Sequence, residues 1–260
     1  MAPVTTASAS DALRARLTGY YTRYYRDTLG LPGWERMVDG RLTEESFGEE
    51  QLTRIEQEVG ALAGRKLLNV GCGTGGFNVA AEGAGAHAWG IDAGEEAVAI
   101  CQMRRGRDAG TRYAAAMAET LPFRDAAFDL VVCLSTIEHV ADVDASLREM
   151  MRVLRTGGVL FLYAPSGWAC YESHYKLPWI PWLPRALARL YLRLWGRPTG
   201  FVGTLNLLSA RRCRRALEAA GARVRDVDLG PPEAKGLIRA YYRAMRVKPY
   251  IALSARRVTP

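Results

Sequence analysis

Residues 66–76 read KLLNVGCGTGG, and the fold of the chain follows from this stretch. Its first five residues form a short and largely apolar run, as in a buried strand. Four of the next six residues are glycines, which permit a tight turn and a close approach of the backbone to a ligand. The segment therefore predicts a strand, a ligand-binding loop and the beginning of a helix.

The glycine spacing fits two kinds of ligand. The pattern G-x-G-x-x-G over 71–76 matches the fingerprint of dinucleotide-binding proteins. The pattern G-x-G-x-G over 71–75 equally matches the variant used for S-adenosylmethionine. The next predicted strand, 87–91, ends beside Asp92, where a carboxylate accepts hydrogen bonds from ribose hydroxyls in either case. The motif predicts a nucleotide site and leaves the two ligands open.

Strand and helix patterns alternate from residue 65 onward. The predicted strands cover 66–70, 87–91, the region around 113, 129–134, 159–164, 222–228 and 250–255. The helical patterns between them end at 81 and cover 94–105, 144–154, 209–220 and 233–246. Strands separated by helices predict an α/β fold with a doubly wound, mostly parallel sheet.

The first part of the chain has a different character. Residues 1–64 predict a helical cap on the domain that residues 65–260 form. One helix is predicted over 10–24, because Ser10 can cap its N-terminus, and a second over 49–62.

Four ordered motifs follow the glycine loop: AETLPF at 118–123, AFDLVV at 127–132, IEHV at 137–140 and RVLRTGG at 152–158. They resemble the consecutive motifs of class I S-adenosylmethionine-dependent methyltransferases, in particular the small-molecule group that includes the ubiquinone and menaquinone methyltransferases. A nicotinamide oxidoreductase is disfavoured, because no lysine follows a tyrosine at the Tyr-x-x-x-Lys spacing of short-chain dehydrogenases.

The resemblance implies a seven-stranded Rossmann-like sheet whose last strand is antiparallel, with S-adenosylmethionine as cofactor. It places Gly71, Gly73 and Gly75 beneath the methionyl part of this cofactor. It further implies that Asp92 accepts hydrogen bonds from both ribose hydroxyls and that Ala93 borders the adenine.

The same resemblance places Ala118 and Glu119 in the adenine loop and Ser135 near the methionine end. The chain departs from the family pattern at two positions. Asn69 stands where an Asp is common, so its amide can hydrogen-bond but supplies no charge. Met117 stands where an Asp often accepts from the adenine amino group, although a thioether can pack on the ring.

Two histidines are candidates for the base that an oxygen acceptor requires. His139 lies in the IEHV motif near the cofactor. His174 lies in the sequence YESHY, after the fifth strand, where an acceptor pocket would form, and Glu172 can orient it. A structural role remains the alternative for both imidazoles.

The connection after the fifth strand is unusually long, and residues 165–208 predict a lid-like insert. The chain has a formal net charge of +8, yet nine cationic and no acidic side chains lie between residues 174 and 217. The remainder of the chain is therefore close to neutral. The positive charge of this segment therefore concerns the acceptor or the surface that the segment approaches. It does not favour a general affinity of the protein for nucleic acid.

Within this insert a helix is predicted over 185–195, with leucines in one sector and arginines in a separate stripe. Two interpretations stay open. The leucine face can cover the pocket while the arginines face solvent, or segment 179–197 can contact an anionic membrane surface.

Composition bears on metal binding, on disulfide bonds and on the cellular compartment. The five cysteines are scattered without a C-x-x-C pair and only three histidines occur, so neither a metal site nor a disulfide framework is expected. The first residues lack the apolar stretch of a secretory signal, and no membrane-length apolar run occurs, so a cytoplasmic protein is expected.

We expect methyl transfer to an oxygen of a small molecule, such as a natural product, a sugar or a lipid-linked acceptor. Nitrogen and carbon acceptors remain open, as does a protein that binds the cofactor without catalysis.

Overall fold

A central sheet organises the molecule, here described from a computed structural model that covers residues 6–42, 44–105, 112–229 and 236–258. The strands in these ranges are β1 (Lys66–Val70), β2 (His87–Asp92), β3 (Tyr113–Ala115), β4 (Phe128–Leu134), β5 (Leu154–Pro165), β6 (Tyr171–Glu172), β7 (Leu177–Pro178), β8 (Ala222–Asp226) and β9 (Tyr250–Arg257). Seven of them form one sheet in the order β3-β2-β1-β4-β5-β9-β8, and β6 and β7 form a separate hairpin.

The sheet is parallel except for β9, which runs antiparallel to both β5 and β8. β1 and β4 lie at its centre, and their apolar runs are buried because both faces of the sheet are covered. The predicted doubly wound, mostly parallel seven-stranded sheet with an antiparallel last strand is confirmed.

Helices cover both faces of the sheet and its carboxyl edge. They are α1 (Thr6–Thr22), α2 (Trp34–Leu42), α3 (Glu44–Val59), α4 (Gly76–Gly83), α5 (Glu95–Arg105), α6 (Val143–Val153), α7 (Arg185–Leu194), α8 (Ala210–Ala219) and α9 (Gly236–Met245). Side chains of α6 and α8 share a buried cluster with Leu68, whereas those of α3 and α4 share one with Leu67. Successive strand residues thus serve opposite faces of the sheet.

The N-terminal helices and the segment after β5 are joined by a third apolar cluster. Leu17 and Tyr21 of α1 contribute to it from one side, and Tyr175 and Leu192 contribute from the other. Between β5 and α8 the chain forms the β6–β7 hairpin, α7 and a 3-10 turn at Phe201–Gly203. These two parts of the chain, far apart in sequence, therefore fold as one layer.

Several predicted boundaries were wrong for identifiable reasons. α1 begins at Thr6, so Ser10 lies inside the helix, and the helical path continues beyond it as a π-helical segment, Arg23–Thr28. α2 was not predicted, because the breaker Pro32-Gly33 precedes it and Gly40 interrupts its pattern. The helix predicted over 49–62 is α3, which ends before Gly60, a residue with φ of +82°.

Two further element boundaries differ from the predicted ones. β5 starts at Leu154, directly after α6, and therefore earlier than the predicted 159. The predicted helix 233–246 corresponds to α9, and its first three positions lie outside the described residues. Among the residues described, no helix is both long enough and apolar enough to cross a membrane.

The packing of α7 can be tested with two leucines of the same helix. Replacing Leu192 by alanine is expected to lower the free energy of unfolding by about 2–5 kcal/mol, because its side chain is fully buried. The matched change Leu190→Ala should alter it by less than about 0.5 kcal/mol, because Leu190 is 53% exposed. Urea-induced unfolding followed by circular dichroism measures both. Equal losses would contradict this orientation of α7.

Candidate active site

A cavity of about 600 Å³ opens at the carboxyl edge of the sheet, where the loops after β1, β2 and β4 meet. Parallel α/β sheets bind their ligands at this edge. Most of the residues predicted to hold the cofactor line this cavity, namely Asn69, Gly71, Gly73, Asp92, Ala93, Ala118, Glu119 and Ser135. Gly75 is absent from its lining.

Gly71 and Gly73 have different roles in the glycine loop. Both have positive φ, +76° and +53° respectively. A Cβ atom on Gly71 would lie 2.1 Å from Oγ1 of Thr136, so a side chain here is excluded by the loop after β4. A Cβ atom on Gly73 would meet no heavy atom within 4 Å. Gly71 therefore serves packing, whereas Gly73 leaves open space in the cavity wall that a ligand can approach.

Gly75 faces away from the cavity. Its φ is +87°, and a Cβ atom there would lie 2.9 Å from Sγ of Cys101 in α5. The next residue, Gly76, begins α4 and lines the cavity instead. The loop thus presents Gly76 where the resemblance implied Gly75.

The carboxylate of Asp92 is held by two backbone amides. Its Oδ2 accepts a hydrogen bond from the N–H of Gly73 at 2.9 Å, and its Oδ1 accepts from the N–H of Gly94 at 2.8 Å. Each carboxylate oxygen has a further lone pair. Asp92 can therefore bind hydroxyl groups while it holds the glycine loop, and Ala93 borders the cavity beside it.

Two more hydrogen-bond acceptors lie at the cavity. Oε1 of Glu119 accepts from the N–H groups of Ala141 and Asp142, at 2.7 and 3.1 Å, whereas its buried Oε2 has no hydrogen-bond partner among the described residues. Nδ2 of Asn69 donates to Oδ1 of Asn78 at 2.7 Å, and the buried Oδ1 of Asn69 likewise has no partner in the described part of the chain. Buried acceptors of this kind are normally satisfied, so a ligand with donor groups fits them.

Ser135 turns the chain at the end of β4. Its φ of +50° is uncommon for a residue with a side chain, and its N–H donates to the carbonyl of Tyr163 at 2.8 Å. Ser135 and Thr136 both line the cavity. The strained turn brings this loop against Gly71.

Tyrosines from the N-terminal helical segments also line this cavity. Tyr20, Tyr21 and Tyr24 contribute to its wall, and the hydroxyl of Tyr21 is hydrogen-bonded to Oγ1 of Thr74 in the glycine loop at 2.9 Å. Burial raises the pKa of Tyr24 well above its ordinary value, so this phenol is neutral. The three rings give this part of the cavity an aromatic wall.

Arg41 of α2 also lines the cavity and was missed by the sequence analysis. Its Nε donates to the hydroxyl of Tyr25 at 2.8 Å, and its guanidinium lies 5.3 Å from the ring centroid of Tyr21. No signal pointed to it, because α2 itself was not recognised.

His139 and His174 come together although different segments carry them. The centroids of their rings are 5.2 Å apart, and each ring also contacts Phe201. Nδ1 of His174 lies 2.7 Å from Oε1 of Glu172, whose Oε2 accepts from the N–H of Tyr175 at 2.5 Å.

The two histidines occupy different sides of this cluster. His139 lines the large cavity, whereas His174 and Glu172 line a small cavity of about 60 Å³ behind it. Of the two candidate bases, His139 therefore faces the large cavity and His174 faces the small one.

Glu138 is the member of this cluster that sequence reasoning missed. It is 2% exposed, neither carboxylate oxygen has a hydrogen-bond partner among the described residues, and burial raises its pKa to about 7. Burial and the neighbouring His174 lower the pKa of His139 to about 4. The available signal was a carboxylate directly beside His139 in the IEHV motif.

The comparisons with known proteins agree with this geometry. Residues 68–162 match the family model described as a methyltransferase domain. Ubiquinone biosynthesis O-methyltransferases of Pseudomonas entomophila and Pseudomonas fluorescens are 40% and 39% identical over 112 residues, which are 41% of this chain and 47% of theirs. The chain thus spans about half the length of the curated relatives it matches.

Solved structures show the same fold. An S-adenosylmethionine-dependent methyltransferase from Mesorhizobium loti is 21% identical, with a TM-score of 0.55 over 76% of this chain and 93% of that one. A phosphoethanolamine N-methyltransferase from Haemonchus contortus, in complex with S-adenosylmethionine, is 16% identical, with a TM-score of 0.57 over 81% of this chain and 52% of that one.

The chain therefore contains an α/β methyltransferase domain. More narrowly, its fold is the one found in S-adenosylmethionine-dependent methyltransferases, and the resemblance drawn from its sequence is confirmed.

Two glycine substitutions test the interpretation of the glycine loop. Gly71→Ala is expected to lower the free energy of unfolding by about 2–4 kcal/mol, because its Cβ would overlap Thr136 and its φ is positive. Gly73→Ala should cost only about 1 kcal/mol, yet weaken S-adenosylmethionine binding about tenfold, because its methyl group would enter the cavity.

Urea unfolding and calorimetric titration measure the two effects. Unchanged cofactor affinity in Gly73→Ala would place the cofactor elsewhere.

Proposed function

We propose that this protein transfers a methyl group from S-adenosylmethionine to an oxygen atom of a small-molecule acceptor. The observation that carries the proposal is that one cavity is lined both by the glycine loop and Asp92 and by His139 and three tyrosines. When bound, the cofactor supplies an electrophilic methyl group on a positively charged sulfur.

In this proposal the main task of the chain is to position the reactants. The glycine loop and Asp92 orient the cofactor, with Asn69 and Glu119 as further acceptors. Methyl transfer is an in-line displacement with a neutral leaving group, so alignment and exclusion of water matter more than stabilisation of a leaving anion. The tyrosine rings exclude water and present faces that favour a cation.

An oxygen acceptor must also lose its proton. We assign the activation of the acceptor hydroxyl to the cluster of His139, His174 and Glu172. A carboxylate only accepts hydrogen bonds, so the pairing with Glu172 puts the proton of His174 on Nδ1 and leaves a lone pair on Nε2. His139 is at the cavity wall, where an acceptor would lie beside it.

The chemical class of the acceptor is inferred from the cavity wall and from the outer surface. Aromatic rings line the acceptor side, which suits an aromatic or otherwise apolar molecule. Among the natural products, sugars and lipid-linked compounds expected for this class, a lipid-linked acceptor is favoured by the surface of α7. Nitrogen and carbon acceptors remain the alternative.

The leucine face of α7 points away from the protein. Leu187, Leu190 and Leu194 are 54%, 53% and 79% exposed, whereas Ala188 and Leu192 are buried. At about 100° per residue the three exposed leucines fall within about 60°, roughly opposite the buried pair. The interpretation in which the leucine face covers the pocket was therefore wrong, because α7 packs through its other side.

We also propose that this face contacts an anionic membrane surface reversibly, at its cytoplasmic side. Arg185, Arg189 and Arg193 are exposed and form a stripe between the buried and the leucine sectors. A helix with leucines outward and arginines at their flank suits the boundary between anionic headgroups and acyl chains. Trp195, 52% exposed at the end of the helix, suits the same boundary.

The proposed activity is tested by single-turnover methylation with labelled S-adenosylmethionine and a panel of phenolic, sugar and lipid-linked acceptors. His139→Ala and His174→Ala are each expected to slow methyl transfer to oxygen about 100-fold or more, because loss of a group that assists proton removal has effects of this size. His87→Ala, at the exposed start of β2, is the control and should keep the wild-type rate.

Cofactor binding without turnover on any acceptor would favour a non-catalytic protein. A wild-type rate in His174→Ala would remove His174 from the mechanism.

Membrane contact is tested by flotation with vesicles of phosphatidylglycerol and phosphatidylcholine at low salt. Changing Leu187, Leu190 and Leu194 together to serine should reduce vesicle binding at least about tenfold, because each inserted leucine contributes on the order of 1 kcal/mol or more.

Leu237→Ser is the control, since Leu237 is also an exposed leucine, on α9, and should leave binding unchanged. Absence of wild-type binding at low salt would contradict the membrane contact.

A further inference from the structure

Three side chains at the boundary of the large and the small cavity lie close enough together to hold a metal ion. Glu138 and His139 follow β4, and His174 belongs to the segment after β5. One potential ligand atom of each lies within 4.8 Å of those of the other two. The Glu138 Oε1 to His139 Nε2 distance is 3.9 Å, which leaves room for an ion between them.

The buried carboxylate is the second observation that points to a ligand. A carboxylate removed from water requires a counter-charge or donors, and the cost is large when it has neither. Glu138 is buried, and among the described residues neither of its carboxylate oxygens has a hydrogen-bond partner. Its Oε1 instead faces the imidazole of His139.

The orientation of His174 supplies a third observation. Metal-bound histidines commonly donate their other ring N–H to a carboxylate, which fixes the tautomer and the direction of the free lone pair. Glu172 has this position, with Oε1 at 2.7 Å from Nδ1 of His174. Glu172 is itself held by the backbone N–H of Tyr175, so the pair is ordered before any ion binds.

We propose that Glu138, His139 and His174 bind a divalent transition-metal ion of the zinc type, with Glu172 orienting His174. Two imidazoles and one carboxylate form a ligand set that zinc uses in catalytic sites, where a further coordination position stays open. Since His139 lines the large cavity, that position is within reach of an acceptor.

No metal site was predicted from the sequence, because its few histidines and scattered cysteines lack the spacing of a zinc site. This site combines an adjacent Glu–His pair with a histidine from the insert.

The role of such an ion deepens the proposed function and rests on it. An ion held here stabilises the negative charge that the acceptor oxygen develops as its O–H bond breaks and the proton leaves to solvent. The electron pair of that oxygen then forms the bond to the methyl carbon, while the carbon–sulfur bond breaks and the thioether departs. The histidines and Glu138 hold the ion and need not take up the proton themselves.

The test uses the full chain after treatment with a chelator and titration with Zn²⁺ by calorimetry. We expect one equivalent to bind. Glu138→Gln and His174→Asn should each weaken binding at least about tenfold, and Glu172→Gln about tenfold, because it removes only the partner of a ligand. His87→Ala is the matched histidine control and should bind as wild type does. Thermal unfolding of each metal-free variant establishes that it is folded.

Titration with Co²⁺ identifies the ligand atoms, because thiolate coordination produces an intense charge-transfer absorption that nitrogen and oxygen ligands do not. A spectrum without that absorption supports the proposed site. Thiolate absorption, absence of stoichiometric binding, or unchanged affinity in both Glu138→Gln and His174→Asn would overturn it.

Assays of methyl transfer distinguish a failure of the proposed metal site from a failure of the proposed function. Methyl transfer that continues at full rate in the chelator-treated chain would overturn the role of the ion and leave the proposed function standing. Zinc binding that depends on Glu138, combined with no methyl transfer to any acceptor, would support the site and overturn the proposed function.

Discussion

The hydrogen bonds that Asp92 accepts from Gly73 and Gly94 are the interaction on which the candidate site depends. The bond from Gly73 ties the loop after β1 to the end of β2 at the carboxyl edge of the sheet, and the bond from Gly94 fixes the loop after β2. The close approach of Gly71 to Thr136 adds the loop after β4. A parallel sheet brings these loop origins together, but the local contacts make them one surface. The rest of the cavity is built on that surface.

Another part of the cavity wall has a different origin. Tyrosines of α1 and the π-helical segment meet Phe201 and the two histidines, which belong to or contact the segment after β5. The arginines of α7 are exposed on the surface of this layer. The glycine-loop part and the aromatic part of the wall therefore differ in sequence origin and in chemistry.

The sequence predicted the sheet well, because most of its strands are short apolar runs beside a turn or a helix. Most of the residues that it assigned to the cofactor line one cavity, since the glycines and Asp92 occur in a fixed order. It failed where tertiary contacts decide the outcome. α2 has weak helix signals and forms against α1, so Arg41 was overlooked. The pairing of His139 with His174 depends on how the insert folds back, which local periodicity does not reveal.

The apolar cluster shared by α1 and the insert limits how such proteins can diversify. Tyr21 and Leu17 are covered by side chains from a segment more than a hundred residues away, including Tyr175 and Leu192. If the insert alone were moved into a related domain, its buried side chains would lack the α1 surface against which they pack here. The corresponding surface of the recipient domain would be left uncovered. A change of acceptor by exchange of segments therefore requires both segments to be inherited together.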